Sequence, residues 1–303
     1  MVYRMSKRAI LIGCNYTATP SIKLTGCIND IVNVRNVLID AYGYSDSNIF
    51  TLRDDDKTKL PNKTNILNII NKVVAMSSAN DMLWIHYSGH GTRIKDTNGD
   101  EVDGFDECIV PCDYNTAGVV TDDELFAILK NAKCRTMICL DSCYSGSGCD
   151  LQYTINYNNG IIVKSVNTRT RSIANTNVVM LSGCRDEQTS ADAYDTVSSR
   201  GVGAFTQTLL ETLRASDHNI ALLPLYTRLC ANLKTYGFTQ IPVLSSSSSS
   251  PTFQFARVNG TSSNVLSATA NSTASTKDMI YNMQMAVSTN VLRGRMSNLF
   301  QYK

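Results

Sequence analysis

The sequence predicts an α/β fold: a mostly parallel central sheet with helices on both faces. Three observations carry that expectation. Short runs at 8–14, 82–87, 136–140 and 178–181 are apolar almost throughout, as strands covered on both sides are. Amphipathic stretches at helical spacing separate them. Successive runs are connected through these stretches, and parallel strands need such crossovers.

In order, residues 8–14 form a first strand with Gly13 near its end, and a loop with Pro20 follows. Ile28, Ile31, Val34, Leu38 and Ala41 then recur at helical spacing, with Gly43 as a stop. Residues 49–52 make a brief strand, and Asp54-Asp55-Asp56 reads as a solvated charge run rather than a metal site. Ile66, Leu67, Ile70, Val73 and Val74 mark a second helix, entered through Pro61, Asn62 and Thr64. After the 82–87 strand, residues 96–107 read as an acidic, glycine-punctuated loop. Thr121 and Glu124 have capping-box spacing before a helix through Leu125, Ile128 and Leu129. The 136–140 strand comes next, then a polar stretch at 144–177 expected to be irregular. Residues 178–181 form another strand, 203–215 and 222–236 two helices, and 242–244 a last strand. The serine run 245–250 has linker composition, but apolar alternation returns at Phe253 and Phe255, so the main domain is expected to close near Val258. Residues 259–303 then read as a polar linker and a C-terminal helix through Met279, Met283, Val287 and Val291.

At 303 residues, 43% hydrophobic and 18% charged, the chain suits an enzyme-sized domain with an appendage. A formal net charge of +2 gives no bulk pull toward nucleic acid or an anionic membrane. No apolar run approaches the ~20 residues of a membrane span, and the first residues lack the pattern of a signal peptide. A cytoplasmic protein is expected. The ten cysteines are scattered, and Cys14 and Cys139 sit inside apolar strands. Reduced thiols are therefore expected, rather than a disulfide framework or structural zinc.

Two strand ends carry reactive side chains. His90 follows one strand in Ser88-Gly89-His90-Gly91, and Cys143 follows another in Asp141-Ser142-Cys143. Open α/β sheets place ligands at the carboxyl ends of their strands. Cysteine attacks as its thiolate, and a nearby imidazole can take the proton. About fifty residues, with a helix and a strand, separate the two, so neighbouring parallel strands bring them out at one edge. Glycine lets the backbone approach a substrate carbonyl, and the N–H groups of Gly91 and Cys143 are a candidate oxyanion hole.

Tyr87-Ser88-Gly89-His90-Gly91 and Asp141-Ser142-Cys143-Tyr144-Ser145-Gly146 resemble the two catalytic motifs of metacaspases, caspase-fold cysteine peptidases. The segments 24–30, 99–107 and 182–193 agree in order and spacing, and the resemblance covers roughly residues 8–257. It implies a caspase-like three-layer sandwich over 1–258, with a large-subunit-like part at about 8–150, a flexible loop at about 151–177 and a small-subunit-like part at about 178–258. Lacking both the long amino-terminal prodomain of many type I members and the long insertion of type II members, the chain reads as a short type I form.

The resemblance implies His90 as general base and Cys143 as nucleophile, acting through a thioester acyl-enzyme on peptide or protein substrates. It implies cleavage after Arg or Lys, with Cys27, Asp30, Ser88 and Asp141 around the pocket for the residue before the scissile bond, called P1. Carboxylates suit a cationic P1 side chain and would repel an anionic one. It implies regulatory calcium at Asp106, Asp122, Asp123 and Asp150, hard oxygen donors of the kind calcium takes. The EF-hand-like run 96–100 has its glycine misplaced and is rejected as a site. Lys164, Arg169 and Arg171 are candidate self-cleavage positions, and a monomer is implied. The other class of function to weigh is a non-proteolytic caspase-like scaffold or proteostasis factor acting by binding.

Overall fold

A computed structural model describes residues 5–97, 99, 104–143, 149–158, 160–166, 173–183, 192–195 and 200–258. The first half of the chain runs β1 (Lys7–Gly13), α1 (Cys27–Asp40), β2 (Ile49–Arg53), α2 (Lys63–Met76), β3 (Met82–Ser88), β4 (Gly91–Lys95), β5 (Phe105–Ile109), α3 (Tyr114–Ala117), β6 (Val120–Thr121), α4 (Asp122–Leu129) and β7 (Arg135–Asp141). The second runs β8 (Tyr153–Asn158), β9 (Ile161–Val166), β10 (Val178–Ser182), β11 (Asp192–Asp195), β12 (Arg200–Gly203), α5 (Ala204–Ala215), β13 (Ile220–Ala221), α6 (Leu222–Thr235), β14 (Val243–Ser246) and β15 (Gln254–Phe255).

The central sheet has eight strands in the order β2-β1-β3-β7-β10-β14-β8-β9. Its first five strands are parallel, and β14, β8 and β9 join antiparallel. Alternate residues feed two separate cores. In β1, Leu11 joins the layer built with Ile31, Val34 and Leu38 of α1, Phe205 and Leu209 of α5, and Leu229 of α6. Ile10 and Ile12 join the opposite layer with Ile66 and Ile70 of α2 and Phe126 and Leu129 of α4. Burial on both faces is why the central strands read as continuous apolar runs.

Helix starts follow local chemistry. Thr121 and Glu124 close the expected capping box on α4, at 3.2 and 3.1 Å, and Asn62 caps α2 by accepting from the Asn65 N–H at 2.7 Å. At α1 the cap comes from a distant loop: the Asn15 side-chain oxygen accepts from the N–H groups of Cys27 at 3.0 Å and Ile28 at 3.4 Å.

The polar stretch after Cys143 departs from expectation. It is not irregular throughout, because β8 and β9 form a hairpin that extends the sheet beyond β14. Tyr153, Ile155 and Tyr157 alternate with polar residues, and Asn159-Gly160 is a hairpin dipeptide; the polar composition masked that period-two signal. The Asp96–Glu107 loop also ends early, in β5, which pairs with β4 and β6 in a separate three-stranded sheet. The serine run is no linker: Ser245 and Ser246 lie buried in β14, and the Ser247 hydroxyl accepts from the Val178 N–H at 3.1 Å. The expected helix in 259–303 lies outside the described residues. Among the described residues no helix is long and apolar enough to cross a membrane, and no disulfide joins any two of the nine described cysteines.

The two-layer packing gives a direct test. Phe205 is fully buried between α5 and the sheet, so Phe205→Ala is expected to destabilise the fold by roughly 3–5 kcal/mol in urea denaturation. Ile161→Ala on the exposed β9 edge is expected to stay within about 0.5 kcal/mol.

Candidate active site

The carboxyl ends of β3 and β7 meet in register, with Ser88 opposite Asp141. The Gly89 N–H donates to the Asp141 carbonyl at 3.2 Å and extends the pairing by one residue. His90 and Cys143 leave the sheet beside one another there, both largely buried. The contact between their segments is made by Gly91. A Cβ on Gly91 would sit 1.8 Å from the Cys143 carbonyl oxygen and 3.2 Å from its nitrogen. Only glycine allows the two backbones this approach.

The His90 imidazole is oriented from the opposite side. Its Nε2 lies 2.7 Å from the Ile22 carbonyl oxygen. A carbonyl only accepts, so Nε2 carries a proton and Nδ1 is the basic nitrogen of the neutral ring. Ile22 closes a 3-10 turn that Pro20 opens. Asp54 fixes the start of the same loop, accepting from the N–H groups of Asn15 at 2.9 Å and Thr17 at 2.7 Å. The Tyr16 ring packs on the imidazole with centroids 4.7 Å apart. Its hydroxyl accepts from the His90 N–H at 2.8 Å and donates to the Val110 carbonyl at 2.7 Å. The Tyr87 hydroxyl donates to the His90 carbonyl at 2.7 Å. Burial pushes both phenols well above the usual tyrosine range.

Beneath this edge, on the α1/α5 side of the sheet, two carboxylates converge. Asp30 accepts from the Ser88 hydroxyl at 2.5 Å and from the Gly203 N–H at 2.8 Å. Asp141 Oδ2 accepts from both the N–H and the hydroxyl of Thr206, at 2.9 and 2.7 Å. The same Thr206 hydroxyl lies 3.2 Å from Nε2 of His86. A Cβ on Gly203 would fall 2.1 Å from Asp141 Oδ2 and 2.9 Å from Asp30 Oδ2, so both carboxylates crowd one point at the start of α5. Asp30, Ser88 and Asp141 are thus brought together. Cys27 lies three residues before Asp30 on α1, in a small cluster with Tyr16 and Ile22.

A second acidic group gathers residues of β5, the start of α4 and the segment after Cys143. Asp106, Asp122 and Asp150 are buried, and Asp123 is half-buried. Asp122 accepts from the N–H groups of Glu107 at 2.8 Å and Asp123 at 2.9 Å. Burial, and then the nearby Asp150 charge, raise its carboxyl well above the ordinary range. Hard oxygen donors in mutual repulsion suit a divalent cation. Among the described residues, however, no three His, Cys, Asp or Glu side chains are grouped to hold a metal, so an ion here needs further oxygens or a closer approach of these carboxylates.

Of the expected self-cleavage positions, Lys164 is not in a loop. It lies within β9, paired with Ile155, and its Nζ donates to the Ser249 carbonyl at 3.1 Å. Arg169 and Arg171 lie outside the described residues. The sequence reading missed Tyr16, Ile22, His86, Gly203 and Thr206. The Ile22 contribution is a backbone carbonyl and leaves no residue-type signal, whereas His86 was visible as a histidine inside an apolar strand.

Residues 7–152 match the family described as "Metacaspase, peptidase C14 domain". The chain is similar to Metacaspase-1 of Scheffersomyces stipitis, with 32% identity over 292 residues, covering 80% of this chain and 70% of that protein. It is 34% identical over 290 residues to Metacaspase-1B of Aspergillus niger, covering 80% and 65%. Among solved structures, a Geobacter sulfurreducens protein superposes with a TM-score of 0.56 at 21% identity, covering 81% of this chain and 94% of that one. Caspase-1 from Spodoptera frugiperda gives 0.51 at 16% identity, covering 82% and 91%. At these identities the structural matches establish the fold alone.

Two expectations follow from the geometry. Gly91→Ala must push the Cys143 backbone aside, and displacements of about 1 Å at reacting groups cost on the order of a hundredfold. Peptidase assays should show at least that loss in kcat/KM, with iodoacetamide alkylation of Cys143 altered in parallel. The second concerns acid. Burial lowers His86 from 6.5 to about 3, so between those values the unfolded chain binds a proton that the folded chain refuses. Stability is then complete above pH 6.5 and falls as pH drops toward 3, by several kcal/mol in total. Urea midpoints at pH 7, 5 and 4 should fall steeply for the wild type and less for His86→Gln.

Proposed function

Since this chain belongs to the metacaspase family of caspase-like cysteine peptidases, we propose that it is an endopeptidase with Cys143 as nucleophile and His90 as general base. The observation that carries this reading is the packing of Gly91 on the Cys143 backbone, with the adjacent imidazole held through Nε2 by Ile22. Nδ1 of His90 takes the thiol proton. The Cys143 sulfur attacks the carbonyl carbon of the scissile bond, and the N–H groups of Gly91 and Cys143 receive the oxyanion. As the C–N bond breaks, His90 returns the proton to the leaving amine. Water, deprotonated by His90, then hydrolyses the thioester and restores the thiol.

The substrates are proteins or peptides with Arg or Lys at P1. Buried carboxylates side by side at Asp30 and Asp141 support this preference, because a guanidinium pairs with planar acceptors at low desolvation penalty only where the partner charge is already fixed. Ser88 steadies Asp30, and Cys27 borders the pocket from α1. Calcium acts as a regulator rather than a catalyst, held through Asp106, Asp122, Asp123 and Asp150. Bound there, it would neutralise buried charge and tie the segment beyond Cys143 to α4. The hydrogen-bonded setting of Lys164 favours Arg169 or Arg171 for self-cleavage, since a peptidase needs a free extended strand. The enzyme works as a cytoplasmic monomer.

Purified protein is assayed on P1-Arg, P1-Lys and P1-Asp peptides, with calcium or chelator. P1-Arg and P1-Lys cleavage is expected to rise in calcium over chelator, and Cys143→Ala and His90→Ala should each lose at least about a thousandfold. Asp30→Ala and Asp141→Ala should raise KM for P1-Arg. Calcium-independent turnover would sink the metal reading, equal activity in Cys143→Ala the nucleophile, and P1-Asp preference the pocket. Mass spectrometry of the incubated chain should place any self-cleavage after Arg169 or Arg171.

A further inference from the structure

His86 is a histidine with no solvent exposure in the middle of the central strand β3. Its neighbours on that face, Trp84 and Ser88, look toward α1 and α5, where Asp30 and Asp141 converge. The Thr206 hydroxyl connects it to that site, 3.2 Å from Nε2 of His86 and 2.7 Å from Oδ2 of Asp141.

A hydroxyl has one proton to give. If Nε2 of His86 carried a lone pair, it would compete with Asp141 for that proton. If Nε2 carries hydrogen, it occupies the Thr206 lone pair and leaves the hydroxyl proton to the carboxylate. Nδ1 of His86 is buried with no hydrogen-bond partner among the described residues. An unpaired lone pair there costs less than a buried, unpaired N–H, which either the Nδ1–H tautomer or the charged ring would leave. The ring is therefore the neutral Nε2–H tautomer, and the donors run in one direction: His86 to Thr206, and Thr206 to Asp141. Together with the Thr206 N–H at 2.9 Å, the hydroxyl anchors Oδ2 of the carboxylate with two bonds from one residue at the start of α5.

We propose that His86 and Thr206 are positioning residues for the recognition of a basic P1 side chain, setting the orientation of the Asp141 carboxylate through a one-way hydrogen-bond chain. The proposal rests on the reading of Asp141 as a P1 carboxylate. Neither residue touches the reacting atoms. Their loss is felt as binding of the basic side chain rather than as chemistry, and P1-Arg, with its planar fork, is more sensitive than P1-Lys.

The test measures KM and kcat on P1-Arg and P1-Lys peptides for His86→Leu, Thr206→Val, the double variant, and the donor-retaining His86→Gln and Thr206→Ser, with Asp141→Ala alongside. His86→Leu and Thr206→Val are each expected to raise KM for P1-Arg about tenfold, with kcat changed less than threefold and Cys143 alkylated at an unchanged rate. The double variant should be no worse than the poorer single one, because both break the same chain. His86→Gln and Thr206→Ser should return KM to within about threefold of wild type. Nitrogen NMR of the wild-type imidazole should report the Nε2–H form. If His86→Leu fails to fold by circular dichroism, Thr206→Val decides the matter alone. Unchanged KM in Thr206→Val, an effect on kcat alone, additive effects, or the Nδ1–H tautomer would each overturn the proposal while leaving the pocket intact. A wild-type KM in Asp141→Ala would instead overturn the pocket reading, and this inference with it.

Discussion

Strands β3 and β7 lie side by side in parallel with Ser88 opposite Asp141, and the placement of every reactive group depends on that register. A one-residue slip of β3 would turn His86 and Ser88 toward α2 and α4 and carry Tyr87 to the other face, and one of β7 would do the same to Asp141 and Leu140. It would also part Gly91 from Cys143. The register is secured from both layers, because alternate residues of each strand are committed to different cores. Two hydrophobic layers thus act as the alignment device for a polar edge that has little apolar surface of its own.

That edge concentrates buried polar groups, and the fold treats its two acidic pairs differently. Asp30 and Asp141 are each met by N–H and hydroxyl donors from β3, β12 and α5. Hydrogen bonds of this kind stabilise ionised carboxylates in a low-dielectric setting. Asp122 has two backbone donors, yet burial and Asp150 still push its carboxyl upward. One pair is organised and the other is in tension, and a site in tension is where a cation or a proton has most to offer.

Much of this was legible in the sequence because its signals are local. The central strands announced themselves as apolar runs, the α4 capping box as Thr121 and Glu124, and the two strand-end motifs as glycine-flanked reactive side chains. The β8–β9 hairpin was hidden by composition: Thr154, Asn156 and Asn158 obscured a two-residue period that Asn159-Gly160 should have exposed. The supports of the site were illegible for a different reason. Ile22 acts through its carbonyl, Asn15 caps a helix twelve residues on, and Thr206 reaches Asp141 across 65 residues. Such roles exist only once the sheet has formed.

The tyrosine frame around His90 has one more consequence. Tyr16 and Tyr87 hold the backbone of His90 through hydroxyls that burial keeps protonated far above neutrality. Near neutral pH these hydroxyls neither gain nor lose a proton, so the scaffold is electrically silent there. Any ionisation seen in the kinetics between mild acid and mild alkali would then belong to groups outside this frame. The two tyrosines packed on His90 therefore add no ionisation of their own to the enzyme's pH profile near neutrality.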